Sequence, residues 1–151
     1  MSNQRTRFIL DQLPLRGVHV NLEQVWQHIV GQKNYPAPIA RALGELVAAG
    51  ALLAANLKFD GTFILQMQGT GVLKLLVAEA TSEQTCRGTA RFDDSVEIAA
   101  DASLQDLMGE QGQFVLTLQP RQGEMWQGIV GLQGASIAQM LANYLAQSEQ
   151  L

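Results

Sequence analysis

The sequence predicts an α+β fold: a single domain, residues 1–151, in which helices cover one face of a largely antiparallel β-sheet. Three observations predict it. Apolar residues recur with the helical period in three segments, and in several others they alternate with period two. The strand segments also come in runs instead of taking turns with helices, the order that favours antiparallel pairing. With 151 residues, such a chain buries roughly 68–70% of the surface its unfolded form exposes, so a core forms without metal or disulfide staples.

The elements follow in order. Val18 and Val20 mark a strand after Arg16-Gly17. Leu22, Val25, Trp26, Ile29 and Val30 then form one apolar helical face, with Asn21 as its cap, Gln24 in capping-box position and Gly31 at its end. A second helix starts near Pro36-Ala37-Pro38, because proline is tolerated in a first turn. Its Ile39, Leu43, Leu46, Gly50, Leu53 and Leu57 alternate at spacings of four and three, and alanines fill the other faces. Such a helix is buried on several sides.

Strands come next. Phe63, Leu65 and Met67 alternate with glutamines; after the Gly69-Thr70-Gly71 turn, Leu73, Leu75 and Val77 alternate in the same way. Thr85, Arg87, Thr89 and Arg91 form one face of a further strand, and Cys86, Ala90 and Phe92 the other. A short helix begins at Ser103 and carries Leu104 and Leu107. Phe114, Leu116 and Leu118 form another alternating set, as do Trp126, Val130 and Leu132 around Gly128. The last helix carries Ile137, Met140, Leu141, Tyr144 and Leu145, capped by Ser136 with Gln139 in box position. The predicted order is strand, two helices, three strands, short helix, two strands, helix. Period two with polar partners signals antiparallel strands covered on one face.

Composition narrows the function. Only 16% of the residues are charged, below the typical ~25%, so the surface is rich in neutral polar groups or hides apolar area against a partner. The net charge is −4, unevenly spread: residues 1–58 hold six Lys/Arg and three Asp/Glu, residues 59–151 four and eleven. No basic run supports nucleic-acid binding. The polar N-terminus shows no long apolar stretch, so no signal peptide is expected. The longest uncharged apolar run, Leu46 to Leu57, falls short of the ~20 residues a membrane span needs, so no membrane partner is expected.

The chemical motifs have bland readings. Gly69-Thr70-Gly71 resembles a phosphate loop, but such a loop needs a following helix and here a strand follows, so it reads as a hairpin turn. Gly134-Ala135-Ser136-Ile137-Ala138 lies between strand and helix like a nucleophile elbow, yet its last glycine is alanine and no histidine follows; Ser136 reads as a helix cap. His19 and His28 match no ligand spacing and read as solvated side chains. Asp93 and Asp94 read as a solvated loop pair. Cys86, the only cysteine, can form neither an intramolecular disulfide nor a four-cysteine zinc site, and reads as an inert core thiol in a reducing compartment. No catalytic, cofactor-binding or metal-ligating residue emerges, so the chain is expected not to be an enzyme.

Several stretches, in this order and spacing, resemble the 33 kDa heat-shock chaperonin family. They are Leu15-Arg16-Gly17; Asn34-Tyr35-Pro36-Ala37-Pro38; Leu43-Gly44-Glu45-Leu46; Asn56-Leu57-Lys58-Phe59-Asp60-Gly61; Leu65 through Gly71; Arg87-Gly88-Thr89-Ala90; Trp126 through Leu132; and Ser148-Glu149-Gln150. Lys58-Phe59-Asp60-Gly61 followed by Gln68-Gly69-Thr70-Gly71 is the strongest element. Val72 stands where the family usually has proline, and Trp126 where it often has tyrosine.

The resemblance implies a redox-regulated, ATP-independent holdase that binds unfolding client proteins under oxidative stress. It also implies a cytoplasmic location and a homodimer. On this reading residues 1–151 are the N-terminal chaperone core, without the linker and the C-terminal zinc redox-switch domain. Zinc is then expected only in that absent domain, and no cofactor in this chain. The alternative is an assembly module that mediates homodimerisation without binding clients.

Overall fold

The structure, a computed structural model, describes residues 3–10, 12 and 15–148. Eleven elements occur among them: β1 (Gln4–Leu10), β2 (Leu15–Asn21), α1 (Glu23–Gly31), α2 (Ala37–Ala54), β3 (Gly61–Gln68), β4 (Leu73–Thr81), β5 (Cys86–Phe92), α3 (Leu104–Met108), β6 (Gln113–Pro120), β7 (Trp126–Val130) and α4 (Ile137–Ser148). The predicted order holds apart from one added strand, β1. It pairs antiparallel with β2 as a separate two-stranded sheet.

The main sheet has the order β5-β4-β3-β6-β7, with every neighbouring pair antiparallel. Leu65 and Met67 of β3 face Ala78 and Leu76 of β4 on one side, and Leu116 and Phe114 of β6 on the other. All six are buried and form the floor of the core. α2 lies across this floor, burying Ile39, Leu43, Leu46, Val47, Gly50 and Ala54 among others. It comes so close to β5 that a Cβ on Gly88 would sit 2.7 Å from a Val47 methyl. α2 is also long and apolar enough to cross a membrane, but half of that stretch is buried in the protein and it serves as the core helix.

One face assignment changes. Leu73, Leu75 and Val77 look like a single apolar face, but the register slips between Leu73 and Leu75. A bulge of this kind re-aims every side chain beyond it. Leu73, Leu76, Ala78 and Ala80 therefore point into the core, and Leu75 and Val77 to the opposite face. The start of α1 also differs: its cap residue is Leu22, not Asn21. Asn21 Oδ1 still accepts from Glu23 N–H (3.2 Å), and Asn3 Oδ1, reaching over from the hairpin, accepts from the amides of Gln24 and Val25. Midway along the hairpin the Arg7 guanidinium donates to Ala55 O, at the C-terminus of α2, where a cation complements the helix dipole. The small sheet thus ties one end of each long N-terminal helix. α2 itself ends at Ala54, one turn before Leu57.

Candidate functional site

The motifs that could carry chemistry are used structurally. All three amides of Gly69-Thr70-Gly71 are engaged inside the fold: Gly69 N–H donates to Lys74 O (3.0 Å), and Thr70 and Gly71 N–H both donate to Met108 O (2.7 and 2.8 Å). The turn is a hairpin wrapped on the end of α3. Ser136 Oγ accepts from Gln139 N–H (3.1 Å), as a cap does. The Gln139 side chain donates instead to Asn143 Oδ1 (2.9 Å), and Glu45 of α2 accepts from Ala138 N–H (2.8 Å).

His19 is exposed on β2, across from Thr6. His28 is exposed on α1 and paired with Gln32 (2.9 Å). Asp93 accepts from the Ser95 hydroxyl (2.6 Å) and amide (3.0 Å) in the turn after β5. The Ser95 hydroxyl, then its amide, holds the Asp93 carboxyl below its usual range. Cys86 lines a cleft with His28, but burial pushes its thiol up, away from the thiolate that a nucleophile needs. Glu149, Gln150 and Leu151 lie outside the described residues.

What stands out instead is the second face of the main sheet. α1, α2, α3 and α4 all pack on the core side, and no described element covers the other. In register across the open side run Ile129 of β7, Val115 and Thr117 of β6, Ile64 and Gln66 of β3, and Val77 and Leu75 of β4. Ile129 is 63% exposed; Val115, Ile64, Val77 and Leu75 are half-buried. Thr117, in the middle, is covered by its neighbours (3% exposed) and accepts from the Gln127 amide at 3.1 Å.

Polar groups frame this aliphatic stripe. Arg87 pairs with Glu79 (2.5 Å) at one side, and Arg121 pairs with Glu83 (2.7 Å) and Asp60 (3.6 Å) at one end. Gln66 stands in register between Val115 and Val77, so the aliphatic side chains follow one another diagonally across the strands; an exposed apolar patch with a polar rim is the usual form of a surface that binds other polypeptide. A second apolar exposure is the end of β1, where Phe8, Ile9 and Leu10 are all exposed. The sequence did not mark the open face, because half-buried aliphatic residues in a strand look like core.

The chain is similar to several known proteins. The chain is 67% identical over 147 residues to a 33 kDa chaperonin of Neisseria meningitidis, covering 97% of this chain and 49% of that protein. It is 48% identical over 147 residues to a 33 kDa chaperonin of Chromobacterium violaceum, covering 96% and 49%. The crystal structure of a 33 kDa chaperonin from Thermotoga maritima superposes with a TM-score of 0.78 at 25% identity, over 89% of this chain and 47% of that one. The chain therefore spans about half the length of the relatives it matches. The sequence profile of the Hsp33 protein family matches residues 3–151, and on that match this chain belongs to the Hsp33 family.

Proposed function

We propose that this chain is the client-binding core of an ATP-independent holdase, and that the open face of the five-stranded sheet receives apolar segments of unfolding proteins. The observation that carries this reading is the aliphatic stripe from Ile129 through Val115 and Ile64 to Val77 and Leu75, uncovered on a fold whose relatives are named chaperonins. Burying apolar area against such a stripe contributes about 25 cal/mol per Å² and needs no fixed partner sequence. It suits clients that share only exposed hydrophobic residues. The proposed independence of nucleotide is supported by the glycine turn that resembles a phosphate loop, whose amides are engaged by Lys74 and Met108.

The remaining proposals follow from the family resemblance. The redox switch and its zinc belong to a segment beyond this chain, the protein works in the cytoplasm, and it is not an enzyme. Holdase action of residues 1–151 is then independent of oxidant, because a single thiol offers no pair to oxidise. The test is suppression of aggregation of a heat-labile client without nucleotide, in peroxide and in reductant. Equal suppression in both is expected; no suppression in either rejects the holdase reading, and a large reversible gain in peroxide rejects the placement of the switch.

The assembly reading is favoured by one observation, the free edge of β7. This strand carries no charge and has Trp126 and Ile129 exposed, the sort of edge that pairs with another chain. A homodimer through β7 is compatible with client binding. Light scattering across a dilution series tests it: a dimer mass at micromolar concentration supports it, and a monomer mass throughout refutes it.

A further inference from the structure

β5 forms the other edge of the sheet, and it is guarded in an unusual way. The Ala90 amide donates to Tyr35 Oη in a long hydrogen bond (3.4 Å), and the Ala90 carbonyl accepts from Lys33 Nζ (3.2 Å). Both backbone groups of Ala90 thus point outward from the sheet. In an antiparallel pair, outward and inward residues alternate, so Gly88 and Cys86 present their backbone groups along the same edge.

Lys33 and Tyr35 sit on the short connector between α1 and α2. The Lys33 ammonium lies 5.0 Å from the Phe92 ring centroid and 5.9 Å from that of Tyr35. The two rings are 6.2 Å apart, and Tyr35 Oη also meets Thr89 Oγ1 (3.4 Å). Beside this clip a cleft of about 530 Å³ opens between Ile29 and Gln32 on one side and Gly88 and Thr89 on the other. Among the described residues no side chain takes the Gly88 backbone groups as the clip takes those of Ala90.

Charge says which strand would fit. Arg87 and Arg91 project from the outer face of β5, and Lys33 lies over its edge. Arg87 is paired with Glu79, whereas among the described residues no acid pairs with Arg91 or Lys33. A second copy of β5 would bring arginines against arginines, and like charges directly opposite one another are unfavourable.

We propose that the outer edge of β5 accepts an extended polypeptide segment with acidic residues at alternate positions, adding a sixth strand, and that Lys33 and Tyr35 hold half of this edge closed until that segment displaces them. The choice of an unfolded polypeptide as partner rests on the holdase reading. The site adjoins the aliphatic face at Val77 but differs from it in recognition, which is by backbone hydrogen bonding.

The experiment uses the whole chain and three labelled peptides, read by fluorescence anisotropy: alternating Thr-Glu, alternating Thr-Lys, and Thr-Glu N-methylated at every second amide. The Thr-Glu peptide should bind. The N-methylated one should bind roughly tenfold or more weakly, since two or more hydrogen bonds are lost, and the Thr-Lys peptide should also be weaker. Tyr35→Phe, which frees the Ala90 amide and leaves the Lys33 charge in place, should tighten Thr-Glu binding and speed hydrogen exchange at that amide in a chain whose circular dichroism is unchanged; Lys33→Ala, which removes an attracting charge along with its bond to the Ala90 carbonyl, should narrow the preference for Glu over Lys peptides. Arg91→Glu should reverse the preference between Glu and Lys peptides. No binding by any peptide, equal binding after N-methylation, or unchanged affinity in Tyr35→Phe would each overturn the proposal. If the chain still suppresses client aggregation while the peptides fail, only the edge site is rejected; if the peptides bind while suppression fails, the edge site stands without the holdase.

Discussion

Gly69→Ala is the sharpest test of how the β3–β4 turn is built. A Cβ at Gly69 would run into Leu73 O and would lie 2.9 Å from Met108 O and 3.1 Å from Met108 Cα. All three neighbours are backbone, so no flexible side chain can yield; the turn must lift off the end of α3. Overpacking of this kind costs about 1–3 kcal/mol. Lifting also breaks the Thr70 and Gly71 hydrogen bonds to Met108 O, at about 0.5–1.5 kcal/mol each. The low ends together give about 2 kcal/mol. In a domain of this size each kcal/mol lowers Tm by roughly 2–4 °C, so a drop of at least about 4 °C is expected in thermal unfolding followed by circular dichroism. Gly31→Ala is the matched control, because a Cβ there meets nothing within 4 Å and alanine restricts the unfolded chain; it should raise stability by about 0.4–1 kcal/mol. A Gly69→Ala variant that melts within about 1 °C of the parent would refute the close-packed turn.

Two further outcomes follow from the packing. Glu45→Ala removes the acceptor for the Ala138 amide in the first turn of α4 and should cost about 0.5–2 kcal/mol, seen as a lower urea midpoint at constant slope; Glu45→Gln, which keeps an oxygen, should cost less. Cys86 should leave a signature in alkali. Burial raises its folded pKa above the unfolded value, so the folded state holds the proton longer. The stability from this group is complete below the usual thiol value of about 8.5 and is lost as pH rises through the folded value. Cys86→Ala should flatten that alkaline loss, and an unchanged slope between about pH 8 and 10 would exclude the buried thiol as its source.

The helices were legible because each carries an apolar stripe of helical period that buries one side: Ile29 in α1, Ile39 through Leu46 in α2, Ile137 and Met140 in α4. β1 was not legible. Its seven residues are almost all exposed, so no alternation of buried and exposed positions marks it. The bulge at Leu73–Leu75 hid the open face for a related reason. Period-two reading assumes an unbroken register, and one slip turned Leu75 and Val77 from apparent core into surface. The cap of α1 was only half legible, since Asn21 is local whereas Asn3 arrives from a strand about twenty residues away. The clip on β5 depends on Lys33 and Tyr35 meeting Ala90 across more than fifty positions, a contact that spacing alone does not encode.

The central claim is that the open sheet face binds unfolding polypeptide, and Ile129 tests it most directly. Fully burying an isoleucine side chain contributes about 1.5–3 kcal/mol. With Ile129 63% exposed in the free chain, a client that covers it gains about 1–2 kcal/mol by the same measure. Ile129→Asn, an exposed substitution, should leave thermal stability within about 0.5 kcal/mol of the parent. The measurement is the chain concentration that halves aggregation of a heat-labile client. The account predicts a rise of roughly 5- to 30-fold for Ile129→Asn, the same free energy expressed as a concentration ratio; an unchanged half-suppressing concentration in a folded variant would contradict it.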